Sequence, residues 1–85
     1  MATIPYIHSN GTSREQLLEM RLTAANSLRK AMYAISEMYP NMRDYYLDPS
    51  GERWTAACAQ ADSRMAAIKG VYDDLVAEYD AIEEA

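Results

Sequence analysis

The chain has 85 residues, of which 49% are hydrophobic, and a formal net charge of −5. A single domain of this length buries little apolar surface, so we expect it to gain stability from a disulfide, a metal or an oligomer. The only cysteine, Cys58, excludes a disulfide within these residues, and the lone His8 with no cysteine nearby predicts no zinc site. We therefore expect a homo-oligomer without metal or cofactor.

The negative charge is concentrated at the carboxyl end. Residues 73–85 carry six acidic and no basic side chains, whereas residues 1–72 carry seven acidic and eight basic ones. An acidic end is a poor surface for phosphates, so we predict no duplex nucleic-acid partner. The sequence shows no apolar run of the ~18 residues that a membrane span needs, and no signal peptide. We expect no membrane partner and a cytoplasmic location.

The first twelve residues are predicted to form an N-terminal arm. Pro5 favours extended backbone at Ile4, and Asn10-Gly11 is a turn signal. The apolar side chains of residues 4–7 predict that this arm docks on helices. The helices could belong to its own chain or to a neighbouring copy.

A first helix is predicted over residues 13–39. Thr12-x-x-Glu15 and Ser13-x-x-Gln16 both fit a capping box, so the start is marked in either of two registers, and Pro40 ends the helix. Apolar residues recur at helical spacing along one stripe. They are Leu17, Leu18, Ala24, Ala25, Leu28, Ala31, Met32, Ile35, Met38 and Tyr39.

A second helix is predicted over residues 49–84, after a loop at 40–48, with Asp48 as its N-cap and Pro49 in its first turn. It carries a heptad seam, by which we mean the mostly apolar residues that recur at alternating steps of four and three. The seam consists of Trp54, Cys58, Ala61, Met65, Ile68, Tyr72, Leu75, Tyr79 and Ile82.

This pattern predicts an all-α fold with one domain over residues 1–85. The domain is expected to be an antiparallel two-helix hairpin with an N-terminal arm. Because the second helix is about two turns longer than the first, we expect contacts beyond the hairpin, and so oligomerisation through the heptad seam.

Arg21 interrupts the apolar stripe of the first helix, where a charged side chain needs compensation. Three interpretations are open. Arg21 could pair with a carboxylate such as Asp44 or Asp62, it could extend to solvent at the edge of the stripe, or it could hold an anion. Arg14 lies on the same line and supports the third interpretation, because two guanidiniums can grip a phosphate-bearing ligand.

The residues Asn10, Gly11, Thr12 and Ser13 lie where the first helix starts. Free backbone N–H groups and the helix dipole favour an anion at such a position, and the two hydroxyls would add donors. The alternative interpretation is an ordinary N-cap.

The loop residues Arg43, Asp44, Tyr45 and Tyr46 combine a guanidinium, a carboxylate and two aromatic rings. This composition suits recognition of a flat polar ligand or of a partner's surface. The alternative is a loop folded onto the end of the hairpin, with Arg43 paired to Asp44 and the tyrosines covering the core.

Catalytic residues are not indicated by the sequence. His8 has no nucleophile beside it in sequence, and the adjacent carboxylates Asp73 and Asp74 diverge by about 100° around a helix. We predict that the protein is not an enzyme.

Three segments carry a resemblance to a known group: His8-x-Asn10-Gly11-Thr12-Ser13, Leu17-Leu18, and Pro40-Asn41-x-Arg43-Asp44-Tyr45-Tyr46. Over residues 7–46 they resemble small helical accessory proteins of phages and prophages. The resemblance implies a phage protein acting in the cytoplasm of a bacterial host. By analogy of size and fold, it also suggests an oligomeric sponge for cyclic-nucleotide immune signals.

The function expected from the sequence is therefore a non-enzymatic, anti-defence binding protein that holds a small anionic ligand of the nucleotide type. The expected ligand-binding residues are Asn10, Gly11, Thr12, Ser13, Arg14, Arg21, Arg43, Asp44, Tyr45 and Tyr46. One alternative is an inhibitor or adaptor whose acidic end and tyrosines face a host protein. Another is a structural assembly element of a phage particle.

Overall fold

The computed structural model describes residues 3–84 of the chain. Within them lie two α-helices, α1 (Arg14–Ser36) and α2 (Glu52–Glu84), one 3₁₀ turn (Met42–Asp44) and no strand. The two helices pack against each other. They are antiparallel, because the start of α1 at Arg14 contacts the end of α2 at Ile82. The predicted all-α helical hairpin is confirmed.

Ser13 caps the start of α1. Its hydroxyl accepts the backbone N–H of Gln16 at 3.2 Å, and the Gln16 side-chain oxygen accepts the backbone N–H of Ser13 at 3.4 Å. This reciprocal pair satisfies two backbone donors at the helix start. The structure thus selects the Ser13 register over the Thr12 register.

The end of α1 lies at Ser36 and not at Tyr39 as predicted. The Met38 N–H donates to Ile35 at 3.0 Å, and the Tyr39 N–H donates to Ser36 at 3.2 Å, so the last turn tightens into bonds three residues apart. Pro40 disfavours helical backbone at the residue before it, which explains why the α-helix stops early.

The start of α2 lies at Glu52, three residues after the predicted start. Residues 49–51 form a turn that ends in Gly51, whose φ of +74° interrupts right-handed helix. Asp48 still supports the start of α2, because its Oδ2 accepts the backbone N–H of Arg53 at 3.0 Å.

The heptad seam is the inner side of α2, and it forms a thin core. Ile82 is fully buried, and the other eight seam residues are half-buried. Only Leu17 and Ala25 join Ile82 as buried hydrophobic residues in the described chain. The core therefore supplies little of the apolar burial that stabilises a domain.

The hairpin is elongated, with extents of 64 × 21 × 17 Å. Its radius of gyration is 18.7 Å, against about 12 Å for a compact chain of this length. Its accessible surface is 6604 Å², against about 5,100 Å² for a typical folded monomer of 9.6 kDa. The single chain thus exposes about 1,500 Å² more surface than its mass predicts.

The segment that connects the helices contacts the first turn of α2, which has 33 residues against 23 in α1. Its Tyr45 ring packs at 58° to the Trp54 ring, with centroids 5.9 Å apart. Oligomerisation through the heptad seam stays a prediction.

Residues 3–13 contain no helix or strand. A turn is closed by the Gly11 N–H, which donates to the His8 carbonyl at 3.1 Å. Tyr6 is 92% exposed, so its ring does not dock on its own hairpin. Docking of this segment on a neighbouring copy stays a prediction.

Candidate functional site

Arg21 forms an ion pair across the hairpin. Its Nε donates to Oε1 of Glu78 at 3.0 Å, its Nη1 donates to the Leu17 carbonyl at 3.2 Å, and the two charged side chains are 18% and 19% exposed. The geometry therefore supports the ion-pair interpretation. The partner is neither Asp44 nor Asp62, because antiparallel packing places the end of α2 beside the start of α1.

Arg14 binds the end of α2. Its Nε donates to the Ile82 carbonyl at 3.2 Å, and its Nη2 donates to the Glu83 carbonyl. The last four carbonyls of a helix lack partners within that helix, and a cation there also offsets the helix dipole. Residues 73–85 contain no cation of their own, so α1 supplies it.

These contacts weigh against the predicted two-arginine anion site. Both guanidiniums donate to acceptors within the hairpin, and Glu78 neutralises the charge of Arg21. An anion at this position would have to compete with a carboxylate that the fold already holds in place.

The turn at Asn10, Gly11, Thr12 and Ser13 acts as an N-cap. The Ser13 hydroxyl is engaged as an acceptor for α1, and the His8 ring lies directly over Gly11, where an added Cβ would be 2.8 Å from its Nε2. The geometry supports the ordinary N-cap interpretation of this turn.

A shallow groove of about 560 Å³ begins beside this turn, along the outer side of α1. It is lined by Thr12, Gln16, Glu19, Met20 and Thr23. The only charged group in the lining is the Glu19 carboxylate. The groove is therefore unsuited to an anionic ligand.

At the opposite end, Asn41 organises the loop. Its Oδ1 accepts the backbone N–H of Arg43 at 2.9 Å and the Arg43 Nε–H at 3.3 Å. Arg43 is thus held by Asn41 and forms no ion pair with Asp44. Tyr45 covers Trp54 as expected for a folded loop, whereas Tyr46 is 68% exposed and leaves the core uncovered.

The loop borders a cleft of about 380 Å³. Its lining consists of Asp44, Tyr45, Leu47, Asp48, Pro49 and Arg53. The pKa of Asp48 is lowered, first because its carboxylate accepts the Arg53 N–H and then because it accepts the Ser50 hydroxyl. Two carboxylates and one guanidinium make this cleft a poor site for an anion.

Sequence reasoning missed two features of this end. Leu47, Asp48, Pro49 and Arg53 were not among the predicted site residues, although the Asp-Pro signal for a helix start could have placed them together. Tyr39 also lies near α2, where the Asp62 charge and then a hydrogen bond with Cys58 raise its pKa. No local pattern indicates that contact.

The ten predicted ligand-binding residues do not form one site within a chain. Asn10 to Arg21 lie at the start of α1, and Arg43 to Tyr46 follow its end. From Arg21, the last residue of the first group, the helix continues for 15 residues to Ser36, which is roughly 22 Å at the α-helical rise. A small ligand bound to one chain cannot contact both groups.

Among residues 3–84, no group of three or more His, Cys, Asp or Glu side chains is arranged to hold a metal ion. Over the same residues, neither helix combines the length and apolar character needed to cross a membrane. The chain matches no protein-family model, no curated protein and no solved structure. Its function must therefore be argued from its own geometry.

Proposed function

We propose that this chain is a non-enzymatic binding protein that works by association, first with copies of itself and then, as an oligomer, with a protein partner. The observation that supports this proposal is the surface excess of about 1,500 Å² over a typical monomer of this mass. A stable protein interface removes about 800 Å² from each partner, so one interface accounts for half of the excess.

The exposed side chains have the chemistry of an interface. Twelve large hydrophobic residues remain exposed in the described chain, and four of them are tyrosines. Tyrosine and methionine are enriched in protein interfaces. The half-buried seam residues add apolar edges, so a second copy that packs along the hairpin would complete the burial of the seam.

The hypothesis of a small anionic ligand has weaker support from this geometry. Arg14 and Arg21 bind acceptors of the hairpin, and the loop cleft carries Asp44 and Asp48. A protein partner requires no such pocket. The acidic end of α2, with Asp80, Glu83 and Glu84 exposed, suits a partner with a basic surface. The phage setting and the bacterial cytoplasm stay predictions.

Sedimentation velocity across protein concentrations, together with native mass spectrometry, tests the proposal. We expect a discrete oligomer at micromolar concentration with no retained small molecule. A monomer at every concentration would contradict self-association. An adduct that leaves on denaturation would favour the ligand hypothesis instead.

The protein-partner step needs a second test, in which acidic side chains are neutralised rather than deleted. Removing residues 73–85 would also remove Glu78 and the fully buried Ile82, so loss of binding would only report unfolding. The triple variant Asp80→Asn, Glu83→Gln, Glu84→Gln keeps these contacts. We expect it to fold and self-associate but to lose capture of a basic partner, and unchanged capture would contradict the acidic-end assignment.

A further inference from the structure

We propose that the second copy lies antiparallel to the first, so that the open end of each hairpin contacts the loop end of the other. The open end comprises residues 3–21 and 76–84, and the loop end comprises residues 37–61. This inference rests on the self-association proposed above and gives it an orientation.

The exposed apolar residues are concentrated at the two ends. Those of the open end are Ile4, Tyr6, Ile7 and Met20, and those of the loop end are Met38, Tyr39, Met42, Tyr46 and Leu47. Only Leu22, Tyr33 and Val71 lie between them. Exposed apolar residues at both ends favour an interface that runs along the whole hairpin, because pairing only the middles would leave both sets in water.

The charges of the two ends distinguish an antiparallel from a parallel arrangement. The open end has a net charge of −4, and its two cations, Arg14 and Arg21, already bind acceptors within the hairpin. The loop end has a smaller net charge of −2, and its two cations, Arg43 and Arg53, take part in neither of the ion pairs found in the described chain.

In an antiparallel pair, each open end of charge −4 faces a loop end of charge −2 on the partner subunit. In a parallel pair, the two acidic open ends would face each other without any free cation to separate them. Like charges in direct opposition disfavour an interface, so the antiparallel arrangement has the lower electrostatic cost.

In the antiparallel arrangement, the two groups of predicted site residues also come together, one group from each copy. They are separated along a single chain by the 15 residues of α1 that follow Arg21, but the turn at 10–13 of one copy would lie beside the loop at 43–46 of the partner subunit. Each dimer would then carry two equivalent composite surfaces, one at each end, as a two-fold axis requires.

Pulsed electron paramagnetic resonance on the full chain measures the orientation directly. Single spin labels are placed on α2 by Glu52→Cys at its start or by Ala67→Cys at its middle, both exposed, with Cys58→Ser as the background. Circular dichroism and sedimentation first establish that each variant folds and associates.

The antiparallel arrangement predicts a long distance between two labels at position 52 and a short distance at position 67. Fifteen residues on each side of the axis correspond to about 45 Å between the 52 labels. A mixture of the Glu52→Cys and Asp80→Cys chains should add a short distance. A parallel dimer would instead give distances within about 24 Å, roughly two helix diameters, for both single labels.

The outcomes separate this inference from the proposed function. Associated chains with short 52–52 distances would overturn the antiparallel orientation and leave self-association intact. Chains that show no dipolar signal and sediment as monomers would overturn both. Long 52–52 and short 67–67 and 52–80 distances would support both.

Discussion

The guanidinium of Arg21 donates to the carboxylate of Glu78 at 3.0 Å, across the interface between α1 and α2. The two residues are 57 positions apart, so the contact fixes the alignment of the two helices. Arg14 also donates to the end of α2. These polar contacts hold the start of α1 in alignment with the end of α2, although few hydrophobic residues are buried between the helices.

Breaking this ion pair should lower stability. For Glu78→Gln we expect the free energy of unfolding to fall by about 1–2 kcal/mol, between the values for exposed and buried pairs. Urea denaturation at fixed protein concentration measures it. The matched control is Asp73→Asn in the exposed Lys69–Asp73 pair, whose side chains are 64% and 56% exposed. Equal losses of unfolding free energy in the two variants would mean that burial of the Arg21–Glu78 pair does not increase its contribution to stability.

Removing the Arg14 side chain should loosen the end of α2. In Arg14→Ala, the Ile82 and Glu83 carbonyls lose their cationic donor. We expect the amides of the last turn to exchange hydrogen about two- to five-fold faster, as for the loss of a charge–dipole contact of 0.3–1 kcal/mol. Hydrogen–deuterium exchange measures this, with the exposed Arg29→Ala as control. Unchanged exchange would show that Arg14 does not hold the helix end.

The capping box predicts different effects for two neighbouring hydroxyls. Ser13→Ala should lower the free energy of unfolding by about 1 kcal/mol, because it removes the N-cap acceptor of α1. Thr12→Ala should change it by less than about 0.5 kcal/mol. Thermal or urea denaturation compares them, and a larger loss at Thr12 would place the helix start one residue earlier.

The two glycines around α2 should respond to alanine with opposite signs. Gly51 has a φ of +74°, which strains any residue with a Cβ, so Gly51→Ala should cost about 1 kcal/mol. Gly70 lies inside α2 with no atom near its missing Cβ, so Gly70→Ala should add about 1 kcal/mol. Denaturation at equal protein concentration gives both values. A destabilised Gly70→Ala chain would mean that another surface packs closely there.

The lowered pKa of Asp48 predicts an acid-dependent stability. A carboxyl group with a folded pKa below its ordinary 3.8 stabilises the folded chain above that pH. The contribution is lost as the pH falls through the folded pKa. Asp48→Asn should therefore show a smaller stability decrease between neutral pH and acid than the natural chain does. Asp44→Asn, which removes a carboxylate from the same cleft, is the matched control, and urea denaturation at each pH compares the two variants.

The two helices and the faces that they bury follow from local patterns in the sequence. Heptad spacing alone placed all nine seam residues on the inner side of α2, because side-chain direction in a helix follows from residue number. Local signals also marked the start of α1 at Thr12 or Ser13, because capping-box partners are three residues apart, and the structure then selected Ser13. The helix ends were predicted three residues too long on either side of the loop, where Pro40 and Gly51 act on backbone geometry.

The partners of the charged residues depend on how the two helices pack. Arg21 had three open interpretations until packing placed it beside Glu78, and Arg14 contacts carbonyls 68 and 69 residues away. Such partners depend on the alignment of two helices, which no local spacing encodes. The same alignment places the two predicted site clusters at opposite ends of the hairpin. The sequence shows the chemistry of each side chain, but the fold determines which residues lie beside it.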